Sequence, residues 1–145
     1  MPDLSHYDVN IFAEIVDAPQ LTVDAILVRA DRYRSQGADI IDLGCLPGIP
    51  FPHLADAVLA LKESGYQVSV DSHDSDDLLC AGRAGANFLL SLTEKTLWIA
   101  DEVEATPVLI PARSGSLPSL YRAIEGMLQR NRQFIADPIL DPLPF

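Results

Sequence analysis

The sequence predicts an α/β fold in which parallel strands alternate with helices. Two observations carry this expectation. Apolar, β-branched runs of strand length recur along the chain, and amphipathic segments of helical spacing separate them. The strand runs also read as continuously apolar, the pattern of parallel strands covered on both faces. Taken in order, VNIFAEIV (residues 9–16) is the first strand, closed by the Ala18-Pro19 turn. Thr22 or a neighbour caps a helix to about residue 36, where Ile26, Leu27, Ala30 and Tyr33 fall at helical spacing and Gly37 ends the run. DIIDLG (39–44) is a short buried strand, followed by the loop CLPGIPFP. The second helix, about 53–63, carries Leu54, Val58 and Leu61 on one face and stops at Gly65. QVSVDS (67–72) is strand three, residues 76–84 form helix three ending at Gly85, and NFLLSL (87–92) is strand four. A short helix near 97–103, the strand PVLIPA (107–112), a longer helix at 117–132 and the strand QFIADPIL (133–140) complete the series.

Composition bounds the function. The chain has 145 residues, the size of one domain spanning 1–145, with 48% apolar and 21% charged residues, a globular mixture. Ten Lys+Arg against 21 Asp+Glu give a net charge of -11, which disfavours nucleic acid as a main partner. No apolar run approaches the roughly 20 residues a membrane helix needs, and MPDLSHYDVN lacks a signal-peptide layout. Cys45 and Cys80 are isolated, so reduced thiols in a cytoplasmic protein are expected.

Right-handed crossovers leave two architectures, an open doubly wound sheet or a (β/α) barrel. About six βα units fit in this length, whereas a complete eight-step barrel usually needs about 200 residues or more. The chain stops at Asp141-Pro142-Leu143-Pro144-Phe145, just past a strand and with no closing helix. The expectation is a partial TIM-type (β/α)8 barrel lacking its last two strands: a truncated gene product, an excised piece, or a subunit completed by another polypeptide or by self-association. An independent six-stranded open sheet is the alternative.

Ligands of parallel α/β folds gather at the C-terminal ends of the strands. Four acids stand in or at the ends of strands: Glu14, Asp42, Asp71 and Asp137. A carboxylate in a strand buried on both faces is costly unless something donates hydrogen bonds to it. Four of them directed to one end would make a pocket of acceptors, suited to paired N–H donors on an amidine-like edge. For each acid taken singly, a structural role bonded to backbone amides or an arginine is the alternative.

The ordered set GADIIDLG with a Pro-Gly loop, VSVDS and IADPIL resembles the pterin-binding domain family. That family comprises dihydropteroate synthases and methyltetrahydrofolate–corrinoid methyltransferases, both (β/α)8 barrels. The texture of EIVDAP, IDLGCLPG and ADPILDP looks most like the dihydropteroate synthase-related proteins of pterin metabolism. The resemblance implies that Asp71 hydrogen-bonds the pterin ring and that Asp137 holds the 2-amino and ring N–H edge. Asp42 and Ser91 are supporting groups, with Glu14 beside them; Ser91 or Leu90 stands where the family has an Asn. The family's Asn in strand one, associated with magnesium, has no counterpart near Glu14. The resemblance therefore implies Mg2+ only alongside a pyrophosphate substrate, and no resident metal is expected. The strand-two loop reads Cys45-Leu46-Pro47-Gly48, keeping the Pro-Gly but not the family's hydroxyl and guanidinium groups.

The activity so implied is a transferase of folate or methanopterin metabolism, condensing a pterin pyrophosphate with an arylamine in the complete protein. That step needs Mg2+ or cationic groups to stabilise the leaving anion, and only Lys95 and Arg113 lie near a strand's C-terminal end. The alternatives are a corrinoid methyltransferase-like domain and a catalytically silent binding or assembly module. Weaker signals have ordinary readings. Residues 71–77 look metal-like but lack calcium-loop spacing, and Asp74 or Ser75 is expected to cap helix three. Cys45 has no evident His partner, and Trp98, Phe88 and Phe134 are expected in the core. ARSGS (112–116) is read as a cap before helix five.

Overall fold

The computed structural model describes residues 8–140. Two stretches read in the sequence, residues 1–7 of MPDLSHYDVN and residues 141–145, lie outside the described residues. Six strands, β1 (Phe12–Ile15), β2 (Ile40–Gly44), β3 (Gln67–Asp71), β4 (Phe88–Leu92), β5 (Thr106–Leu109) and β6 (Ile135–Ala136), form one sheet. The intervening helices are α1 (Val23–Ser35), α2 (Leu54–Glu63), α3 (Ser75–Arg83), α4 (Ile99–Glu102) and α5 (Leu117–Gln129), with a 3-10 turn at Ala18–Gln20.

Sequence and capping chemistry set these boundaries. Thr22 Oγ1 accepts the Ala25 amide at the start of α1. The Asp74 carboxylate accepts the Asp76 and Asp77 amides at the start of α3, satisfying donors that the first helical turn leaves free. Past α1 and α3 the chain turns back at Gly37 (φ 102) and Gly85 (φ 98), left-handed positions that cost glycine nothing.

Every strand pair is parallel, and the strand order is β1-β2-β3-β4-β5-β6. A doubly wound sheet reverses its strand order at a switch point; this one never does. It is also rolled. The rings of Phe12 on β1 and Phe88 on β4 meet edge to face, centroids 5.4 Å apart, although β2 and β3 lie between those strands. The architecture is a partial TIM-type barrel, as the six apolar runs predict.

Strand alternation divides the side chains between two faces. Ile15, Ile41, Leu43, Val68, Val70, Leu89, Leu92 and Leu109 belong to one buried cluster with helix residues such as Ile26, Leu54, Leu61, Leu78, Ala81, Leu120 and Met127. Ile40 and Val108 are buried too but lie outside that cluster, because they share the inner face with Phe12 and Phe88. The main core therefore lies between sheet and helices, and the inner face is free to carry polar groups.

The structure corrects several expected boundaries. β6 is two residues long rather than eight: Pro138 has no amide to donate, and Ile139 is left-handed at φ 50. β1 is four residues long rather than eight: pairing starts at Phe12, and Val16 already leads into the 3-10 turn. Trp98 is 45% exposed rather than core, flanked by buried Leu97 and Ile99 that take the inward positions. Phe88 is half-buried on the inner face, and Phe134 packs partly against the core cluster.

Two glycines give different predictions. Gly82→Ala in α3 gains about 1 kcal/mol of helix propensity. It also sets a methyl group 2.8 Å from Cβ and both γ-carbons of Val103, a stiff branched side chain, and overpacking costs about 1–3 kcal/mol. Urea unfolding should show a net loss of about 1 kcal/mol. Gly126→Ala in α5 meets chiefly Leu97 Cδ1, the rotatable end of an unbranched-Cβ side chain that must turn aside, and should cost less than Gly82→Ala.

Candidate functional site

Parallel register assembles the site. Glu14 on β1 lies opposite Asp42 on β2, Asp42 lies opposite Ser69 on β3, and one step further Gly44 lies opposite Asp71. All face inward by alternation. One side-chain oxygen from each of Glu14, Asp42 and Asp71 falls within 4.8 Å of the others. Gly44 makes this convergence sterically feasible: a Cβ there would stand 2.6 Å from Glu14 Oε1 and 3.3 Å from the Ile15 carbonyl oxygen.

Two hydroxyls brace the acids. Ser69, fully buried, donates to Asp42 Oδ1 at 2.6 Å, and Ser91 donates to Asp71 Oδ1 at 2.6 Å. Ser91 is left-handed at φ 74, where pairing with β5 slips between Leu89 and Leu92. That conformation costs a non-glycine residue about 1–2 kcal/mol.

No cation of the described residues offsets the three carboxylates. The ion pairs lie elsewhere, Asp17 with Arg29, Glu94 with Arg122, Asp101 with Arg130 and Glu102 with Arg83. Burial accordingly pushes the Asp42 carboxyl up to about 7, with the Ser69 hydrogen bond opposing and the charges of Asp71 and Glu14 adding to the rise. Glu14 is raised as well, by burial first and then by Asp71. Near pH 7 the Asp42 carboxyl is therefore divided between its protonated and ionised forms.

A cleft of about 250 Å³ opens beside Glu14, Gly44, Asp71 and His73. It shares Cys45, Pro47, Ser72 and His73 with a second cleft of about 500 Å³, which runs toward Asp74 and Asp77 at the start of α3. Neither is lined by a lysine or arginine. A cleft of about 800 Å³, walled by Arg83, Glu104 and Arg132, lies instead at the N-terminal ends of the strands, the end that serves stability in barrels.

The loop after β3 spends its oxygens internally. Ser72 Oγ donates to Asp77 Oδ2 and accepts the Asp74 amide, while Asp74 caps α3. This supports the capping reading of residues 71–77. The Cys45 thiol is pushed up to about 12, by burial first and then by Asp77, with a Ser72 hydrogen bond opposing and Asp71 and Asp42 adding. Its nucleophilic thiolate is scarce at neutral pH. Lys95 and Arg113 are exposed.

Of the expected site residues, the structure gathers Glu14, Asp42, Asp71 and Ser91. Asp137 is not one of the acids whose oxygens converge. It is exposed, its Oδ1 accepts the Ile139 amide at 2.8 Å, and it lines neither cleft beside the three acids. The short β6 and the Asp-Pro turn account for this local closure. Sequence reasoning missed Ser69 and Gly44. Their signal was the two-residue alternation that puts both on the face of Asp42 and Asp71.

No protein-family profile matches the chain. An uncharacterised protein of Methanocaldococcus jannaschii is 27% identical over 157 aligned positions, which take in 94% of this chain and 29% of that protein. Dihydropteroate synthase from Xanthomonas albilineans, solved with 7,8-dihydropteroate, superposes with a TM-score of 0.69 at 17% identity, covering 90% of this chain and 59% of the enzyme. The Coxiella burnetii synthase, solved with pteroic acid, gives 0.67 at 20% identity, with 92% and 62% covered. The chain is similar in fold to the dihydropteroate synthases. D-glucarate dehydratase from Agrobacterium tumefaciens, complexed with magnesium, also superposes, at 0.62 and 17% identity with 82% and 38% covered. The chain thus spans 29% of its curated relative and about 60% of these synthases.

The raised Asp42 carboxyl gives a signed prediction. Unfolded, it titrates near its ordinary 3.8; folded, near 7. Between these values the folded chain holds the extra proton, so the contribution of Asp42 to stability is greatest below about pH 4 and falls as pH rises toward 7. At 1.36 kcal/mol per pH unit the difference of 7 − 3.8 is worth up to about 4 kcal/mol. Asp42→Asn keeps an acceptor for Ser69 and removes the ionisation. Urea unfolding should find the variant more stable than wild type at pH 8, equal near pH 4, and free of most of the intervening slope.

Proposed function

We propose that this chain is the pterin-binding part of a dihydropteroate synthase-like barrel, its ligand held at the C-terminal ends of β1 to β4. The observation that carries the reading is the convergence of Glu14, Asp42 and Asp71 beside an open cleft, with no cation of the described residues to neutralise them. Such a group calls for paired N–H donors. The 2-amino group and ring N–H of a pterin form a guanidine-like edge, and a carboxylate accepts two parallel hydrogen bonds from it. Asp71 takes that edge. The fold supports the reading, since synthases of this fold were solved with pteroic acid and 7,8-dihydropteroate.

As the activity of the whole protein we propose the condensation of a pterin pyrophosphate with an arylamine. The described residues give this step its pterin edge. They line the two clefts without a lysine or arginine, so the groups that stabilise a departing pyrophosphate come from elsewhere. Glu14, Asp42 and Asp71 would hold a magnesium ion through their carboxylate oxygens only in place of the N–H edge, because both call on the same oxygens. Bound there, it would supply charge neutralisation to the leaving group. Among the described residues β1 and β6 each pair on one side only, and we assign those edges to a completing polypeptide or a second copy.

Calorimetric titration with 7,8-dihydropterin tests the ligand. Wild type should bind saturably, and Asp71→Ala should lose about 2–4 kcal/mol, as for a charged acceptor facing N–H donors. Asp137→Ala, already engaged with Ile139, should lose less. No saturable binding by the wild type at millimolar ligand would overturn the pterin reading.

A further inference from the structure

Ser91 occupies an anomalous position. On β4, Leu89 and Leu92 both belong to the cluster between sheet and helices, and an unbroken strand sends alternate residues to opposite faces. With Leu90 paired to Asp71 in register, a regular strand would send Ser91 to the helix side along with Leu89. Instead the ladder slips between Leu89 and Leu92, Ser91 adopts φ 74, and its hydroxyl reaches the inner face. Bulges beside binding sites re-aim side chains in this manner. The residue is a serine rather than the glycine or asparagine that the left-handed region favours, so a backbone cost is carried at this point.

A serine hydroxyl has one proton to give, and Ser91 gives it to Asp71 Oδ1 at 2.6 Å. No proton is left for a ligand. We propose that Ser91 is a positioning residue acting through Asp71: the bulge aims its hydroxyl at one lone pair of one carboxylate oxygen, fixes the side chain, and leaves the second lone pair of that oxygen and the whole of the other for the two hydrogen bonds of the ligand edge. The identity of that ligand rests on the pterin reading above; the fixing of Asp71 does not.

Ser91→Gly separates the hydroxyl from the backbone, because glycine keeps the left-handed turn at lower cost. Its melting temperature should equal or exceed that of wild type, while affinity for 7,8-dihydropterin falls about tenfold, the loss of one hydrogen bond to a charged group. Ser91→Asn, which tolerates the turn and retains a donor, should recover most of that loss. In an Asp71→Ala background Ser91→Gly should change affinity no further. Without ligand, side-chain NMR couplings of Asp71 should report one rotamer in wild type and averaging in Ser91→Gly. A single Asp71 rotamer in Ser91→Gly, or a full affinity loss that persists without the Asp71 carboxylate, would overturn the proposal. Failure of the wild type to bind dihydropterin would instead overturn the pterin reading, and the rotamer measurement would still decide the role of Ser91.

Discussion

Three carboxylates held side by side at the rim of a rolled sheet are the constraint to which the rest of the inner face answers. Like charges at this separation repel, and at Asp42, the buried one of the three, little water is left to screen them. The chain meets that cost locally. Ser69 and Ser91 each donate a hydroxyl proton, Gly44 withholds a side chain so that Glu14 has room, and the Asp42 carboxyl keeps its own proton to near neutral pH. None of these devices neutralises the group. What remains is an acceptor-rich mouth that is stabilised further by whatever brings N–H donors or a cation to it.

The outer face makes such a mouth tolerable. Ile15, Ile41, Leu43, Val68 and Val70 are fully or almost fully buried against α1, α2 and α3, and each aliphatic side chain of this kind is worth about 2–5 kcal/mol against truncation. One layer fixes the strand register, and that register fixes the spacing of Glu14, Asp42 and Asp71 on the other. Core and site are two readouts of one alternation.

That alternation is why much of the fold was legible in the sequence. Continuous apolar runs gave the strands, Thr22 and Asp74 gave the starts of α1 and α3, and Gly37 and Gly85 marked the turns beyond them. Legibility failed where a local interaction competes with the pattern. The run from 133 to 140 looks like a strand, but Pro138 withdraws a donor and Asp137 closes a turn on Ile139, leaving two strand residues. Trp98 was expected in the core, yet it precedes a four-residue helix whose buried positions are Ile99 and Ala100, with Leu97 buried on its other side. In the site, Glu14, Asp42 and Asp71 were visible as acids in apolar surroundings. The reach of Ser91 was not, since a serine carries no sequence signal for a left-handed bulge.

A crystal structure of the chain with 7,8-dihydropterin tests the central claim most directly. The account predicts the 2-amino and ring N–H edge within hydrogen-bond distance of Asp71, with Glu14 and Asp42 alongside and the hydroxyl of Ser91 still on Asp71. A pterin seated away from the three acids, or an Asp71 turned out of the cleft when it is bound, would contradict it.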